Sequence, residues 1–192
     1  MGRCSDFIKK ILNRFLDFAG PFEVFSVTEV NEEKPFTVYT VSENGEMITA
    51  RNGLKVQPDY SIENLPPVDI LIIPGGLGAR EYEIKNEIVI KWIRQQMKEV
   101  TLMTSVCTGA LLLAKAGLLE GLKATTHWAS IEKFQNEFQN VEVIENVKFV
   151  DEGHIITSAG INMAFHIVKN LLGMHVAEDT AKRMEYDISL PN

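Results

Sequence analysis

The sequence predicts an α/β fold, a three-layer sandwich around a mostly parallel sheet, and three observations predict it. Three short apolar runs bounded by turn residues read as strands buried on both faces: FTVYTV (Phe36–Val41), VDILII (Val68–Ile73) and VTLMTSV (Val100–Val106). Segments with helical spacing separate the later runs, and strands alternating with helices indicate a parallel sheet covered on both sides. The third run ends at Ser105-Val106-Cys107-Thr108-Gly109 and passes at once into a small-residue, leucine-rich segment. A strand that turns abruptly into a helix with Cys at the corner is the cysteine form of a nucleophile elbow.

Along the chain, Met1–Arg14 reads MGRCSDFIKKILNR. Arg3, Asp6, Lys9, Lys10 and Arg14 interrupt every apolar stretch, while Phe7, Ile8, Ile11, Leu12 and Phe15 recur at helical spacing. A helix or irregular chain is expected there, not a central strand, because burying an unpaired charge in a covered sheet is costly. Residues 15–192 are expected to form one domain, with 1–14 as an atypical leading segment. Asp17 sits among apolar residues ahead of Gly20-Pro21, either as the N-cap of a helix running through Phe25 or as a functional carboxylate. Glu23 is assigned to a solvated helix face. Glu43-Asn44-Gly45 signals a hairpin with Met47–Ala50 returning.

Helices are predicted over Ile84–Met97, with Ile88, Trp92 and Ile93 on one face, and over Ala110–Leu119, ended by Gly121. Three more are predicted at Trp128–Phe138, Met163–Leu172 and Ala177–Tyr186. Val147–Val150 and Ile155–Thr157 flank Asp151-Glu152-Gly153, which reads as a turn between antiparallel strands.

The chain has 192 residues, 45% hydrophobic and 23% charged, which suits one soluble globular domain. A net charge of −7 without a basic cluster argues against a nucleic-acid surface. No apolar run reaches membrane-spanning length and no signal peptide is read, so no membrane partner is expected. Cys4 and Cys107 are the two cysteines and make no disulfide framework; a reducing cytoplasm is the expected setting. The four histidines and two cysteines lack metal-ligand spacing, so no metal is expected.

Cys107 is the candidate nucleophile. The helix starting at the corner points its unpaired N–H groups at the sulfur and favours the thiolate, lowering the expected pKa. The alternative is a buried core cysteine. Pro74-Gly75-Gly76 directly follows VDILII, and consecutive glycines at a strand end let backbone amides approach a ligand or hold a developing oxyanion. A plain tight turn is the competing reading. The motif lacks the Gly-Lys-Ser/Thr ending of a phosphate-binding loop. His127, after Lys123–Thr126, is either a base for Cys107 or a satisfied, partly buried histidine.

Four blocks together resemble the ThiJ/PfpI superfamily, with its class I glutamine amidotransferase-like, flavodoxin-like fold. They are LDFAGPFEVFS (Leu16–Ser26), VDILIIPGG (Val68–Gly76), SVCTGALLLAKAGLLEGLKATTHW (Ser105–Trp128) and ITSAGINMAFHIV (Ile156–Val168). Within it the chain most resembles isonitrile hydratases and the amidotransferase-like domain of AraC-type regulators. A regulator would continue into a helix-turn-helix domain of roughly a hundred residues, so the free-standing form is the expected one.

The resemblance implies Cys107 as nucleophile, Asp17 as the carboxylate near it, and the amides of Gly76 and Thr108 as oxyanion donors, with Gly75 beside them and His127 behind. It implies a lyase that hydrates a small isonitrile to an N-substituted formamide without a cofactor. The alternatives are a redox or small-molecule sensor and a glyoxalase- or deglycase-like enzyme. A homodimer is expected from the resemblance and from common oligomer statistics.

Overall fold

A computed structural model describes residues 2–7 and 15–188. The chain forms an α/β sandwich. Strand β1 (Gly2–Phe7) leads to helix α1 (Phe15–Val27), then β2 (Phe36–Ser42), β3 (Ile48–Thr49), β4 (Lys55–Val56), β5 (Tyr60–Ser61) and β6 (Ile70–Ile73). Helices α2 (Leu77–Glu81) and α3 (Glu87–Gln96) precede β7 (Leu102–Val106) and α4 (Gly109–Lys115). Strand β8 (Lys123–Ala124), helix α5 (Ile131–Glu137) and strands β9 (Glu142–Val143), β10 (Phe149–Asp151) and β11 (Ile155–Ser158) follow. Helices α6 (Asn162–Leu172) and α7 (Met174–Arg183) close the fold.

The main sheet has seven strands in the order β10-β11-β7-β6-β1-β2-β5, parallel except for the edge pair β10–β11. Strand β6 explains the two covering layers, since all four of its residues are buried. Ile70 and Ile72 pack with Val24 and Phe25 of α1 and Phe165 and Ile167 of α6. Leu71 and Ile73 pack with Val89 and Ile93 of α3 and Leu112 and Leu113 of α4. Alternate residues of a strand face opposite sides, so a continuous apolar run here serves two cores at once. Each fully buried aliphatic side chain contributes about 1.5–3 kcal/mol.

The N-terminal expectation is corrected. Gly2–Phe7 is a strand in the middle of the sheet, paired with β2 from Gly2↔Phe36 to Phe7↔Val41 and with β6 from Cys4↔Ile70 to Asp6↔Ile72. Cys4 is fully buried there. Backbone pairing, not side-chain charge, decides the placement of this segment. Without β1, the facing edges of β2 and β6 would leave a row of buried N–H and C=O groups unpaired, and such groups must find partners. Residues 8–14, with the rest of the expected helix, lie outside the described residues.

The hairpin after Glu43 is also corrected. Ile48–Thr49 pairs antiparallel with Lys55–Val56, not with β2, whose outer edge is taken by Tyr60–Ser61. Helix α4 stops at Gly117, four residues before Gly121. Gly117 has φ +75° and donates to Ala114 O at 2.9 Å, while Leu118 donates to Leu113 O at 3.0 Å, the paired bonds of a Schellman cap. Helix α3 starts behind Asn86, whose Oδ1 accepts from Ile88 and Val89, and this cap turns Ile88 outward to 60% exposure. Met174–Arg183 begins the last helix three residues earlier than predicted and ends it before Tyr186. Residues 128–130 are a 3-10 turn ahead of α5.

Candidate active site

Strands β6 and β7 lie side by side with Ile73 opposite Ser105, so the segments leaving their C-terminal ends meet over one crevice. From β7 the chain turns at Cys107, which has φ +54°, a conformation that costs a non-glycine residue about 1–3 kcal/mol. Surrounding bonds enforce it. Cys107 N–H donates to Ser158 O at 2.8 Å, and Cys107 O accepts from Thr126 Oγ1 at 2.7 Å. Ser158 Oγ donates to Ser105 O at 2.9 Å, fastening the ends of β7 and β11 together.

Glycines on both sides make the elbow possible. A Cβ on Gly75 would lie 2.4 Å from Thr108 N and 2.8 Å from Val106 O. A Cβ on Gly109 would lie 2.0 Å from Ile73 O, so α4 can start against the end of β6 only because position 109 is bare. Gly76 has φ +113°, a region that essentially excludes other residues. The Pro-Gly-Gly turn is therefore fitted to the elbow as closely as to any ligand.

Gly76 and Thr108 engage each other. Gly76 N–H donates to Thr108 Oγ1 at 2.8 Å, and that hydroxyl donates to Gly76 O at 3.0 Å. The Gly76 amide thus has a partner in this structure, and the Thr108 hydroxyl is committed to the Gly76 backbone. To receive an oxyanion, the amide would have to exchange that hydroxyl for substrate oxygen.

Cys107, Thr108, Gly76 and His127 line one cavity of about 380 Å³, a volume suited to one small molecule. Leu77, Arg80, Ala129 and Ser130 complete it and were missed in the sequence. Leu77 and Arg80 had a signal: they lie one and four residues past Gly76, at the spacing that returns a helix to one face. Ala129 and Ser130 had none. Thr126 and Ser158, which hold the elbow, act through backbone contacts that no local pattern encodes.

His127 Nδ1 accepts the Ala129 N–H at 3.3 Å and caps the 3-10 turn. A backbone N–H can only donate, so Nδ1 supplies a lone pair and the ring proton sits on Nε2. The same residue lines the cavity beside Cys107. Trp128 beside it is 80% exposed.

Asp17 is the third residue of α1, not its N-cap, and it is buried at 6% exposure. It is not among the residues lining the cavity. Its helix does adjoin the elbow: Gly20 packs so closely on Ile161 that a Cβ would fall 2.3 Å from Ile161 Cγ2, and Ile161 shares a core cluster with Val106 and Cys107. Glu23 is exposed. No group of three or more His, Cys, Asp or Glu among the described residues is arranged to hold a metal ion. No helix among them is long and apolar enough to cross a membrane.

The DJ-1/PfpI family model matches residues 9–174. The chain belongs to that family. Among its relatives, the isonitrile hydratase of Pseudomonas putida is 32% identical over 176 residues, covering 89% of this chain and 73% of that protein. The HTH-type transcriptional regulator GbdR of Pseudomonas aeruginosa is 26% identical over 152 residues, covering 78% of this chain. This chain spans only 41% of that regulator. Drosophila melanogaster DJ-1beta superposes with a TM-score of 0.83 at 21% identity, covering 97% of this chain and 99% of the other. A ThiJ/PfpI family protein from Pseudomonas syringae superposes at 0.81 with 24% identity, covering 100% and 77%. The DJ-1/PfpI fold thus accommodates proteins described as enzymes and as regulators, and the fold alone does not choose between them.

Proposed function

We propose that this DJ-1/PfpI protein is a cysteine-dependent enzyme that hydrates a small isonitrile to an N-substituted formamide. The observation carrying the reading is Cys107, held at a positive φ by Ser158 and Thr126 and opening into a cavity of small-molecule size. The identity to an isonitrile hydratase supports the choice of chemistry.

In this reading the Cys107 thiolate attacks the terminal isonitrile carbon. The S–C bond forms while the carbon takes up a proton, giving a thioimidate. Water then adds to that carbon, the C–S bond breaks with its electron pair returning to sulfur, and the nitrogen gains one of the water's protons to give the formamide; the water's other proton goes to solvent and balances the one that the carbon took from solvent. Asp17 positions the water, a role supported by its burial on the helix that packs against the elbow's core cluster. The Thr108 amide steadies developing charge, and Gly76 joins it once its N–H exchanges away from the Thr108 hydroxyl. His127 donates from Nε2. The protein acts in a reducing compartment as a homodimer, and light scattering that finds a monomer at micromolar concentration rejects the dimer.

The test incubates pure protein, and its Cys107→Ala variant, with an isonitrile and separately with methylglyoxal. Formamide released by the wild type and abolished by Cys107→Ala is the expected result. Isonitrile persisting in both samples overturns the reading, and Cys107-dependent loss of methylglyoxal replaces it with an α-oxoaldehyde activity. Asp17→Asn, soluble and folded, should lose at least tenfold in turnover.

A further inference from the structure

We propose that Arg80 forms an anion subsite in the Cys107 cavity, so that the molecules taken there carry a carboxylate at the end away from the carbon that meets sulfur. The identification of that carbon as an isonitrile rests on the reading above; the subsite itself does not.

Arg80 lies on α2, one turn beyond Gly76, and lines the same cavity as Cys107 and Thr108. It is the one lysine or arginine among the described lining residues. Its Nε is buried and has no hydrogen-bonded acceptor among the described residues. The Glu81 carboxylate forms an ion pair with that Nε at 3.2 Å, but the two side chains are 36% and 44% exposed, so it is a weak competitor. A buried guanidinium N–H without an acceptor is unfavourable, and a planar carboxylate matches the guanidinium fork. The cavity has room for one small molecule spanning the two groups.

The test compares alkylation of Cys107 by iodoacetate and by iodoacetamide, which share a reacting carbon and differ in carboxylate against amide. In each, sulfur forms the S–C bond and iodide leaves with the C–I electron pair. Peptide mass analysis separates Cys107 from Cys4, and glutathione supplies the rate ratio of an unguided thiol. The iodoacetate-to-iodoacetamide ratio at Cys107 should exceed the glutathione ratio at least tenfold. It should fall to within about twofold of glutathione in Arg80→Gln and recover only in part in Arg80→Lys, which keeps the charge but not the planar fork. A wild-type ratio equal to that of glutathione, or one unchanged in Arg80→Gln, overturns the subsite. Should Arg80→Gln not fold, the wild type still decides: millimolar acetate should slow iodoacetamide labelling of Cys107 while acetamide does not, and equal effects overturn the proposal.

Isocyanoacetate and its ethyl ester then separate this inference from the reading it extends. A kcat/KM at least tenfold higher for the carboxylate supports both. Neither compound consumed, with the alkylation preference intact, removes the isonitrile reading and leaves the subsite. Equal turnover with a flat alkylation ratio removes the subsite and leaves the isonitrile reading.

Discussion

The Thr108 hydroxyl and the Gly76 backbone satisfy each other across the gap between β6 and β7, accepting at 2.8 Å and donating at 3.0 Å. One side chain therefore locks the Pro-Gly-Gly turn to the elbow at Cys107. Thr108→Val removes both bonds and takes from the buried Gly76 amide its hydroxyl partner, at a cost of about 1–3 kcal/mol. Thr108→Ser keeps the hydroxyl and should lose well under half of that. Urea denaturation of the two variants checks the order.

Gly75 and Gly160 make a matched pair. A Cβ at 75 meets backbone atoms of Thr108 and Val106 that cannot move aside, whereas a Cβ at 160 meets nothing within 4 Å. Gly75→Ala should destabilise by about 2–4 kcal/mol and Gly160→Ala should fall within about 0.5 kcal/mol of the wild type. Thermal melts of both variants decide it.

Cys107 occupies backbone space that glycine enters without strain. Glycine in place of alanine usually weakens a fold. Here the order should reverse, with Cys107→Gly about 1 kcal/mol or more above Cys107→Ala in stability while both are inactive. Chemical denaturation of the pair measures it.

Glu29 joins the turn after α1 to Lys34 at 3.0 Å and to Arg183 of α7 at 2.6 Å. The hydrogen bond from Lys34, with the nearby Arg183 charge, holds its carboxyl below the usual glutamate value. A depressed folded pKa means stability present above the unfolded value near 4.3 and lost as pH falls through the lowered folded value. The Glu29→Gln variant should therefore be less stable than the wild type at pH 7, with the gap closing in acid and shrinking in high salt. Melting both proteins from pH 7 down through the carboxylate range tests this.

Deleting residues 1–7 should abolish cooperative folding. It opens the sheet between β2 and β6 and exposes two long strand edges, the condition for edge-to-edge aggregation. Circular dichroism and sedimentation of the shortened chain provide the check.

The sequence by itself determined strands within Phe36–Val41, Val68–Ile73 and Val100–Val106, the antiparallel pair around Asp151–Gly153, and the elbow at Cys107. Each is written locally: an apolar run reports a strand buried on both faces, and a cysteine between a strand and a small-residue helix reports a sharp turn. Tertiary structure alone decided that Gly2–Phe7 fills the sheet centre, because the demand for hydrogen bonds comes from β2 and β6 and not from the segment itself. It decided that Gly76 and Thr108, 32 residues apart, satisfy each other, and that Arg80 shares a cavity with Cys107. Periodicity records which side of an element prefers water; which distant backbone or charge meets it there depends on strand order, and strand order is a property of the whole sheet.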